Sequence, residues 1–483
     1  MNLNRVFRAA GPLVFLLLWW LAPADLPPPA RRTLAVGGWL VVWWITECVP
    51  ILVTSLLPLV LFPLLGIAST RESAAPYANE LVFLFLAGFL LAAALEHWQS
   101  HVRIAYRLVL SVGLSGHRVV LGIMLATGII SMWISNTATA AMMYPIAIAI
   151  GYLFPDDLGG RRTRTSLMLG VAYAATIGGM ATPIGTPPNL VVLGAVKQLT
   201  GASVSFMQFT SLGLPITLIL LPLCWLLLVY VVFPGQPRLA TDAGGMVRER
   251  LAALGPIRGG EARVLTIFSL TALAWVLRER KEIGGVTIPG LVDLAPGLSD
   301  TAIGVAGALL LFLVWARDPE GQPRPLLTWA EARQIPWDVL LFFGGGLTLA
   351  QQMETHGITT WMGAGLERLN GLPTWVILVG LATIVLVLSE LASNLAVATM
   401  VMPLAAALGR TVGLPPVLLM LTAGFAASTG FALPIATPPN TIVFGSGMVS
   451  AKDMGRAGLL LDVVSIAVIV AVLSFLGPRV LGP

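Results

Sequence analysis

The chain alternates long apolar stretches with short polar interruptions. Apolar stretches recur at 206–233, 262–277, 300–316, 374–389 and 457–476, lengths near the roughly 20 residues a helix needs to cross a bilayer. Each predicts a transmembrane helix. The polar interruptions are not scattered: Ser-Asn and Thr-Pro-Pro-Asn groups stand inside apolar surroundings, where hydrocarbon tolerates only backbone whose hydrogen bonds are satisfied. Those groups predict breaks in helices at membrane depth.

The interruptions come in matched pairs, which divides the chain into repeats. LVFLFLAGFLLAAALEHW from Leu81 is similar to DVLLFFGGGLTLAQQMETHG from Asp338, with small-residue turns expected at Ala87-Gly88 and Gly344-Gly345-Gly346. ISNTATAAMMYPIAIAIG from Ile134 matches ASNLAVATMVMPLAAALG from Ala392, and GGMATPIGTPPNLVVLG from Gly178 matches TGFALPIATPPNTIVFG from Thr429. The register is nearly constant: 394 − 136 = 258 for one asparagine pair and 440 − 189 = 251 for the other. The expected organisation is an N-terminal helix in 1–29, a first repeat in 30–235, a connecting loop in 236–262 and a second repeat in 263–483. Arg5 and Arg8 before the apolar run Leu13–Leu21 have the look of a secretory leader, but an uncleaved first helix is the reading adopted. Hydropathy alone does not decide whether the repeats are inverted.

Composition supports the membrane reading: 57% of 483 residues are hydrophobic and 11% charged, against about 45–50% and about 25% in soluble domains. The net charge of +5 comes largely from arginines in short connections, Arg161, Arg162 and Arg164 and then Arg238, Arg248, Arg250 and Arg258. That distribution suits cytoplasmic loops rather than nucleic acid. Orientation is contradictory at the start, where Arg5 and Arg8 precede the first apolar segment and Arg31 and Arg32 follow it. Cys48 and Cys224, the only cysteines, offer neither a disulfide framework nor a paired-cysteine metal site.

The polar interruptions carry the chemistry. In the first repeat Ser131, Ser135, Asn136 and Thr137 form an unwound motif at 131–137, followed by a turn at 182–189 with Pro183, Gly185, Pro187 and Pro188. The second repeat has Ser389, Ser393 and Asn394 in 389–395, then Pro434, Pro438, Pro439 and Asn440 in 434–440. Prolines cannot donate backbone hydrogen bonds. Exposed carbonyls and hydroxyls at such breaks are ligands for a hard cation, and restarting helices aim N–H groups at an anion. Polar glue between helices and simple proline kinks would explain one such motif; four in matched register favour a binding site. With no Lys or Arg in the motif segments, an anion would depend on the bound cation, which is coupling.

At these residues, and at WWITECVPILVTSLLP from Trp43, the chain resembles the divalent anion/sodium symporter family. The resemblance implies an all-α polytopic membrane protein with two inverted-topology repeats, re-entrant hairpins, broken helices and about 11 transmembrane helices. It places the hairpins at about 79–98 and 337–355. It implies a homodimer in the bacterial inner membrane, an elevator-type motion, sodium as coupling ion and no organic cofactor. One sodium would be held by Ser131, Ser135, Asn136 and Gly185, the other by Ser389, Ala392, Asn394 and Ala436. Ser135, Asn136, Thr137, Thr186, Ser393, Asn394 and Pro438 would face a C4-dicarboxylate such as succinate, malate or fumarate. Two positions depart from the family pattern. Leu395 stands where many members have threonine, and Ser389 replaces a threonine while keeping its hydroxyl. Sodium-independent exchange and sulfate or citrate transport are the alternatives within this class.

Other chemistries find less support. Glu47, Glu390 and Asp338 are the acids nearest the motifs; Glu390 is read as a structural hydrogen-bond acceptor before a cation or proton ligand. His97, His101, His117 and His356 have no metal-ligand spacing. GLSG at Gly113–Gly116 is similar to an intramembrane serine protease motif, yet Ser115 is followed by His117 in what reads as a loop, whereas catalysis needs a base brought from another helix. A proton-coupled citrate or arsenite carrier is a nearer rival.

Overall fold

The computed structural model describes residues 3–482 other than 24, 114, 236–242, 258, 284–285 and 319. Arg238 and Arg258 of the expected connector and Leu114 of the GLSG segment lie outside the described residues. The main helices are α1 (Leu3–Leu21), α2 (Pro28–Thr46), α3 (Glu80–His97), α4 (Gly116–Ser131), α5 (Asn136–Gly151), α6 (Leu158–Gly179), α7 (Pro187–Thr200) and α8 (Phe206–Leu226). The second half supplies α9 (Gly259–Leu277), α10 (Asp300–Leu313), α11 (Trp337–Thr355), α12 (Thr374–Leu391), α13 (Asn394–Val412), α14 (Pro416–Ala427), α15 (Pro438–Phe444) and α16 (Ala451–Leu481). Among the described residues, six helical stretches are long and apolar enough to cross a membrane. Their outward faces carry exposed Leu218, Leu270, Ile384, Leu459, Val463 and Phe475, the surface expected against lipid.

Helix directions follow from close approaches between glycines and their neighbours. Gly178 abuts Gly128 and Gly170 abuts Met124, so α4 runs parallel to α6. Gly179 abuts Asn136 and Gly151 abuts Arg164, so α5 runs antiparallel to α6. α4 and α5 are therefore the arms of a hairpin, with its tip in Met132–Ser135. In the second half Ser389, near the end of α12, hydrogen-bonds the Ala427 carbonyl at the end of α14, and Gly409 of α13 packs on Pro416 at the start of α14. α12 and α13 form the matching hairpin, with its tip at Ala392-Ser393.

This corrects the expected hairpin positions. α3 runs unbroken through Ala87-Gly88, and α11 runs unbroken through Gly344–Gly346. The glycines there are packing notches, not turns. A Cβ on Gly344 would meet Tyr77 at 2.2 Å, one on Gly345 the Ser55 carbonyl oxygen at 2.4 Å, and one on Gly346 Thr399 at 2.6 Å. Small residues let membrane helices approach closely. Gly345→Ala is expected to lower stability in detergent by about 1–3 kcal/mol, since the obstacle is backbone; thermal unfolding followed by tryptophan fluorescence would check it.

Two helices are broken rather than folded back. α6 continues past residues 180–186 into α7, and α14 continues past 428–437 into α15. α6 packs against α15, and α7 against α14, so the two broken helices run antiparallel with their breaks side by side. That is the inverted arrangement of repeats. Outside this core, the apolar segment read as helix over 300–316 ends at Leu313, and Trp315–Arg317 pairs with Pro323–Pro325 as a small antiparallel ribbon. In the connector a helix spans Ala243–Ala253. Just after it Arg103 reaches the Leu254 and Gly255 carbonyls and the buried Glu261 carboxylate, which it meets at 2.6 Å and 2.8 Å.

Candidate functional site

Each hairpin tip meets a helix break through the same hydrogen-bond pattern. The Ser131 hydroxyl donates to the Ala175 carbonyl oxygen at 2.6 Å and sits 3.0 Å from Asn136 Oδ1. Its partner in the second half, Ser389, donates to the Ala427 carbonyl oxygen at 2.7 Å and sits 2.6 Å from Asn394 Oδ1. One hydroxyl proton cannot satisfy two acceptors. Both serines are wholly buried, so each cluster holds more oxygen lone pairs than protons to fill them. Such a set of hydroxyl, amide and carbonyl oxygens matches a hard cation that prefers oxygen ligands.

The turns beside the clusters are held by a second matched pair. Asn189 Nδ2 donates to the carbonyls of Gly179 and Thr182 at 2.9 Å and 2.8 Å. Asn440 Nδ2 donates to Gly430 and Leu433 at 3.2 Å and 3.0 Å. The offsets agree throughout: 440 − 189, 430 − 179 and 433 − 182 are all 251. Both asparagines are buried, so truncation orphans two carbonyls. Asn189→Ala is expected to cost about 1–3 kcal/mol per lost partner, readable as a lower unfolding temperature of the purified protein.

Burial grades the expected residues from inside to outside. Ser131, Ser389, Gly185 and Ala436 are buried; Ser135, Asn136, Ala392, Ser393 and Asn394 are half-buried; Thr137 and Pro438 are exposed. Thr186 is buried and its Oγ1 accepts a hydrogen bond from Asn136 Nδ2 at 3.3 Å. Ser131, Ser389, Gly185 and Ala436, read as cation ligands alone, thus lie inside, Thr137 and Pro438, read as anion-facing alone, lie at the open side, and the residues read in both roles lie between them, with Thr186 buried among the anion-facing set. Ser135 and Ser393 are the N-caps of α5 and α13, so both asparagines open a helix whose free N–H groups favour negative charge. α15 packs on α5, and α7 packs on α13. The helix that each Thr-Pro-Pro turn opens therefore packs on the hairpin of the opposite repeat.

Gly179 and Tyr173, not singled out in the sequence, complete the region. A Cβ on Gly179 would lie 2.0 Å from Asn136 Oδ1, and one on Gly185 would lie 2.5 Å from the Gly179 carbonyl oxygen; the first cluster is a cradle that only glycines leave open. The Tyr173 hydroxyl of the first repeat reaches the Phe431 and Met454 carbonyls of the second at 3.0 Å and 3.2 Å. The Glu390 carboxylate accepts the N–H groups of Ala432 and Leu433 at 2.8 Å and 2.9 Å, the structural role expected of it. Asp338 lies in the first turn of α11, and Glu47 is the left-handed C-cap of α2; neither joins the clusters.

Rival sites do not assemble. Ser115 and His117 lie 3.3 Å apart but on one short stretch at the start of α4, and among the described residues no base is brought to Ser115 from another helix. His97 pairs with Glu331 at 2.9 Å, and His356 faces the Ile67 carbonyl at 3.1 Å. Among the described residues no group of three His, Cys, Asp or Glu could hold a metal ion. A cavity of about 450 Å³ lined by Arg161, Arg164, Ser450 and Asp453 opens at the far end of α6 from the clusters.

The family model described as "Sodium:sulfate symporter transmembrane region" matches residues 4–481. The chain belongs to this family. A relative named "Sodium-dependent dicarboxylate transporter SdcS" from Staphylococcus saprophyticus is 38% identical over 482 residues, covering 98% of this chain and 91% of its own length. The protein of the same name from Staphylococcus aureus MRSA252 is 38% identical over 480 residues, with the same coverage. The Alcanivorax borkumensis YdaH transporter has a similar fold, with a TM-score of 0.55, 11% identity and 100% of this chain covered. As a symporter-family member the chain is a multi-pass, all-α membrane transporter and not an enzyme, which removes the protease reading.

Proposed function

We propose that this chain is a secondary active transporter that moves C4-dicarboxylates or related divalent anions together with sodium. The observation that carries the reading is the pair of buried serines, Ser131 and Ser389, each set between a carbonyl and an asparagine oxygen. Two oxygen-rich clusters suit two cations, and a divalent anion placed between them gains charge balance that no Lys or Arg supplies. The names of the staphylococcal relatives support both the ion and the substrate class. In this reading Ser131, Ser135, Asn136 and Gly185 hold one sodium and Ser389, Ala392, Asn394 and Ala436 the other. Ser135, Asn136, Thr137, Thr186, Ser393, Asn394 and Pro438 contact the anion.

The motion is an elevator: the two hairpins and two broken helices move as one body across a scaffold, in a homodimer in the bacterial cytoplasmic membrane. Packing of the helix after each turn on the opposite hairpin supports a single moving body. Each net positive charge carried adds about 2.3 kcal/mol per 100 mV of membrane potential.

The test is uptake of labelled succinate into proteoliposomes under an inward sodium gradient, under equal potassium, and with unlabelled dicarboxylate preloaded. Sodium-dependent accumulation is the expected result; uptake that ignores sodium and requires internal dicarboxylate would make the protein an exchanger. Leu395, half-buried at the place of Thr137, removes a hydroxyl from the anion side. Leu395→Thr is expected to raise affinity for hydroxylated dicarboxylates such as malate over succinate by up to about tenfold, the worth of one hydrogen bond, as read from competition assays.

A further inference from the structure

Two ion pairs tie the hairpins and broken helices to the helices around them, and both lie at one end of the bundle. Lys197, near the end of α7, pairs with Glu80, the first residue of α3. Arg410, near the end of α13, pairs with Glu354 of α11 at 2.7 Å, and its other terminal nitrogen donates to the carbonyl of Leu199, two residues past Lys197. The second Glu354 oxygen accepts the Thr359 hydroxyl at 2.6 Å. At 1.5 Å per residue the pairs stand about 15 Å along α7 and about 24 Å along α13 from the first residue of each helix, well away from the oxygen clusters. All four side chains are partly exposed, so water and salt reach them.

The counterpart positions in the repeat carry no such pairs. Lys197 corresponds to 197 + 251 = 448 and Arg410 to 410 − 258 = 152; with the offset of 257 between Leu81 and Asp338, Glu80 corresponds to 337 and Glu354 to 97. These are Met448, Tyr152, Trp337 and His97, a set without a carboxylate, and His97 is held by Glu331 at 2.9 Å. The same one-sidedness appears at the helix breaks. Ile184 of the first break is 2% exposed and sits against Gly88 of α3, where an added Cβ would meet it at 3.2 Å. Trp133 of the first hairpin tip meets Phe268 of α9 edge-on, with ring centroids 5.1 Å apart. Their counterparts, Ile435 at 184 + 251 and Leu391 at 133 + 258, are 75% and 65% exposed. At the breaks, then, the first half is docked on α3 and α9 while the second half lies open.

We infer that the Lys197–Glu80 and Arg410–Glu354 pairs form a one-sided electrostatic latch, which favours the docked state seen here and opens when the carrier passes to its opposite state. The inference rests on the reading of the hairpins and broken helices as one moving body. Inverted repeats exchange roles when access alternates, so the opposite state seats Ile435 and Leu391, frees Ile184 and Trp133, and brings Met448 and Tyr152 toward Trp337 and His97. Four charges are paired in one state and parted in the other. A two-state equilibrium moves only through such a difference between its states, and this one is screened by salt. Each exposed pair contributes little alone, but two pairs present in the same state multiply their factors.

The experiment follows maleimide labelling of Ile184→Cys and of Ile435→Cys in the full-length, detergent-purified protein carrying Cys48→Ala and Cys224→Ala. Ile435→Cys is expected to label fast and Ile184→Cys slowly, the slow rate reporting the population of the opposite state. Glu80→Gln together with Glu354→Gln is expected to raise the Ile184→Cys rate about fivefold. Raising choline chloride from about 20 mM to about 500 mM, which shortens the screening length several-fold, should raise it likewise in the parent and leave the neutralised protein unchanged. Glu80→Lys should raise the rate, and adding Lys197→Glu should return it toward the parent value. The salt series needs no charge variant, so it decides the matter if the neutralised protein does not fold. A parent whose Ile184→Cys labels but ignores both salt and neutralisation overturns the latch and leaves the moving body standing. So does a rise on neutralisation that salt fails to reproduce and the charge swap fails to reverse. An Ile184→Cys that stays unlabelled with and without sodium and succinate overturns the moving body, and the latch with it.

Discussion

Asn136→Ala and Asn394→Ala are each expected to reduce sodium-driven succinate uptake ~100-fold or more. Asn136 contributes Oδ1 to the first cluster and Nδ2 to Thr186; Asn394 contributes Oδ1 to the second, at 2.6 Å from Ser389. Alanine removes the amide but leaves each serine and carbonyl in place. A hydrogen bond to a charged partner is worth about 1.5–3 kcal/mol, and the loss of one such ligand together with a contact to the anion amounts to the hundredfold change. Both variants should still insert and purify as the wild type does, because each asparagine is half-buried rather than core. Normal uptake by either one would mean that its cluster takes no part in coupling.

The second large effect separates two glycines that correspond in the repeat. Gly179→Ala would set a methyl group 2.0 Å from Asn136 Oδ1, whereas a Cβ at Gly430 meets nothing nearer than Ala436 Cβ at 3.4 Å and the Ser389 carbonyl oxygen at 3.5 Å. The first approach forces the amide out of place; the second is ordinary contact. Gly179→Ala should therefore raise the half-saturating sodium concentration by ~10-fold or more, since overpacking of about 1–3 kcal/mol falls on the ligand itself. Gly430→Ala should transport like the wild type. Equal behaviour of the two variants would contradict the geometry of the first cluster.

Much of this site was legible in the sequence, because polar groups inside apolar segments have few explanations and repetition removes most of those. Ser131, Asn136, Ser389 and Asn394 stood out for that reason, and the structure joins them by hydrogen bonds. The hairpins were misplaced for an equally physical reason. Glycine serves a turn and a close helix contact equally well, so Gly344–Gly346 carried no sign of which it was until Tyr77, Ser55 and Thr399 were seen against it. The gap between Ser131 and Asn136 likewise reads the same whether the chain unwinds or reverses; only the contacts of α6 with both arms, Gly170 with Met124 and Arg164 with Gly151, show the reversal. Asp462 was hidden inside the apolar run at 457–476, and Tyr173 within α6, since neither belongs to a repeated motif. Tyr173 bonds backbone oxygens 258 and 281 positions away and Asp462 a backbone N–H 31 positions away, which local pattern does not report.

The bond from Tyr173 to the Met454 carbonyl spans 281 residues of chain. At a synthesis rate of about 5–20 residues per second, roughly 15–55 s separate the emergence of that tyrosine from the emergence of its partner. During that interval the first repeat sits in the bilayer with a phenolic hydroxyl and an oxygen-lined gap open to whatever surrounds it. Biogenesis of this protein thus has an obligatory waiting stage, in which the insertion machinery or the lipid must shelter a half-built molecule. Variants that weaken Tyr173 would show first as early degradation of nascent chains, before any defect of the mature protein.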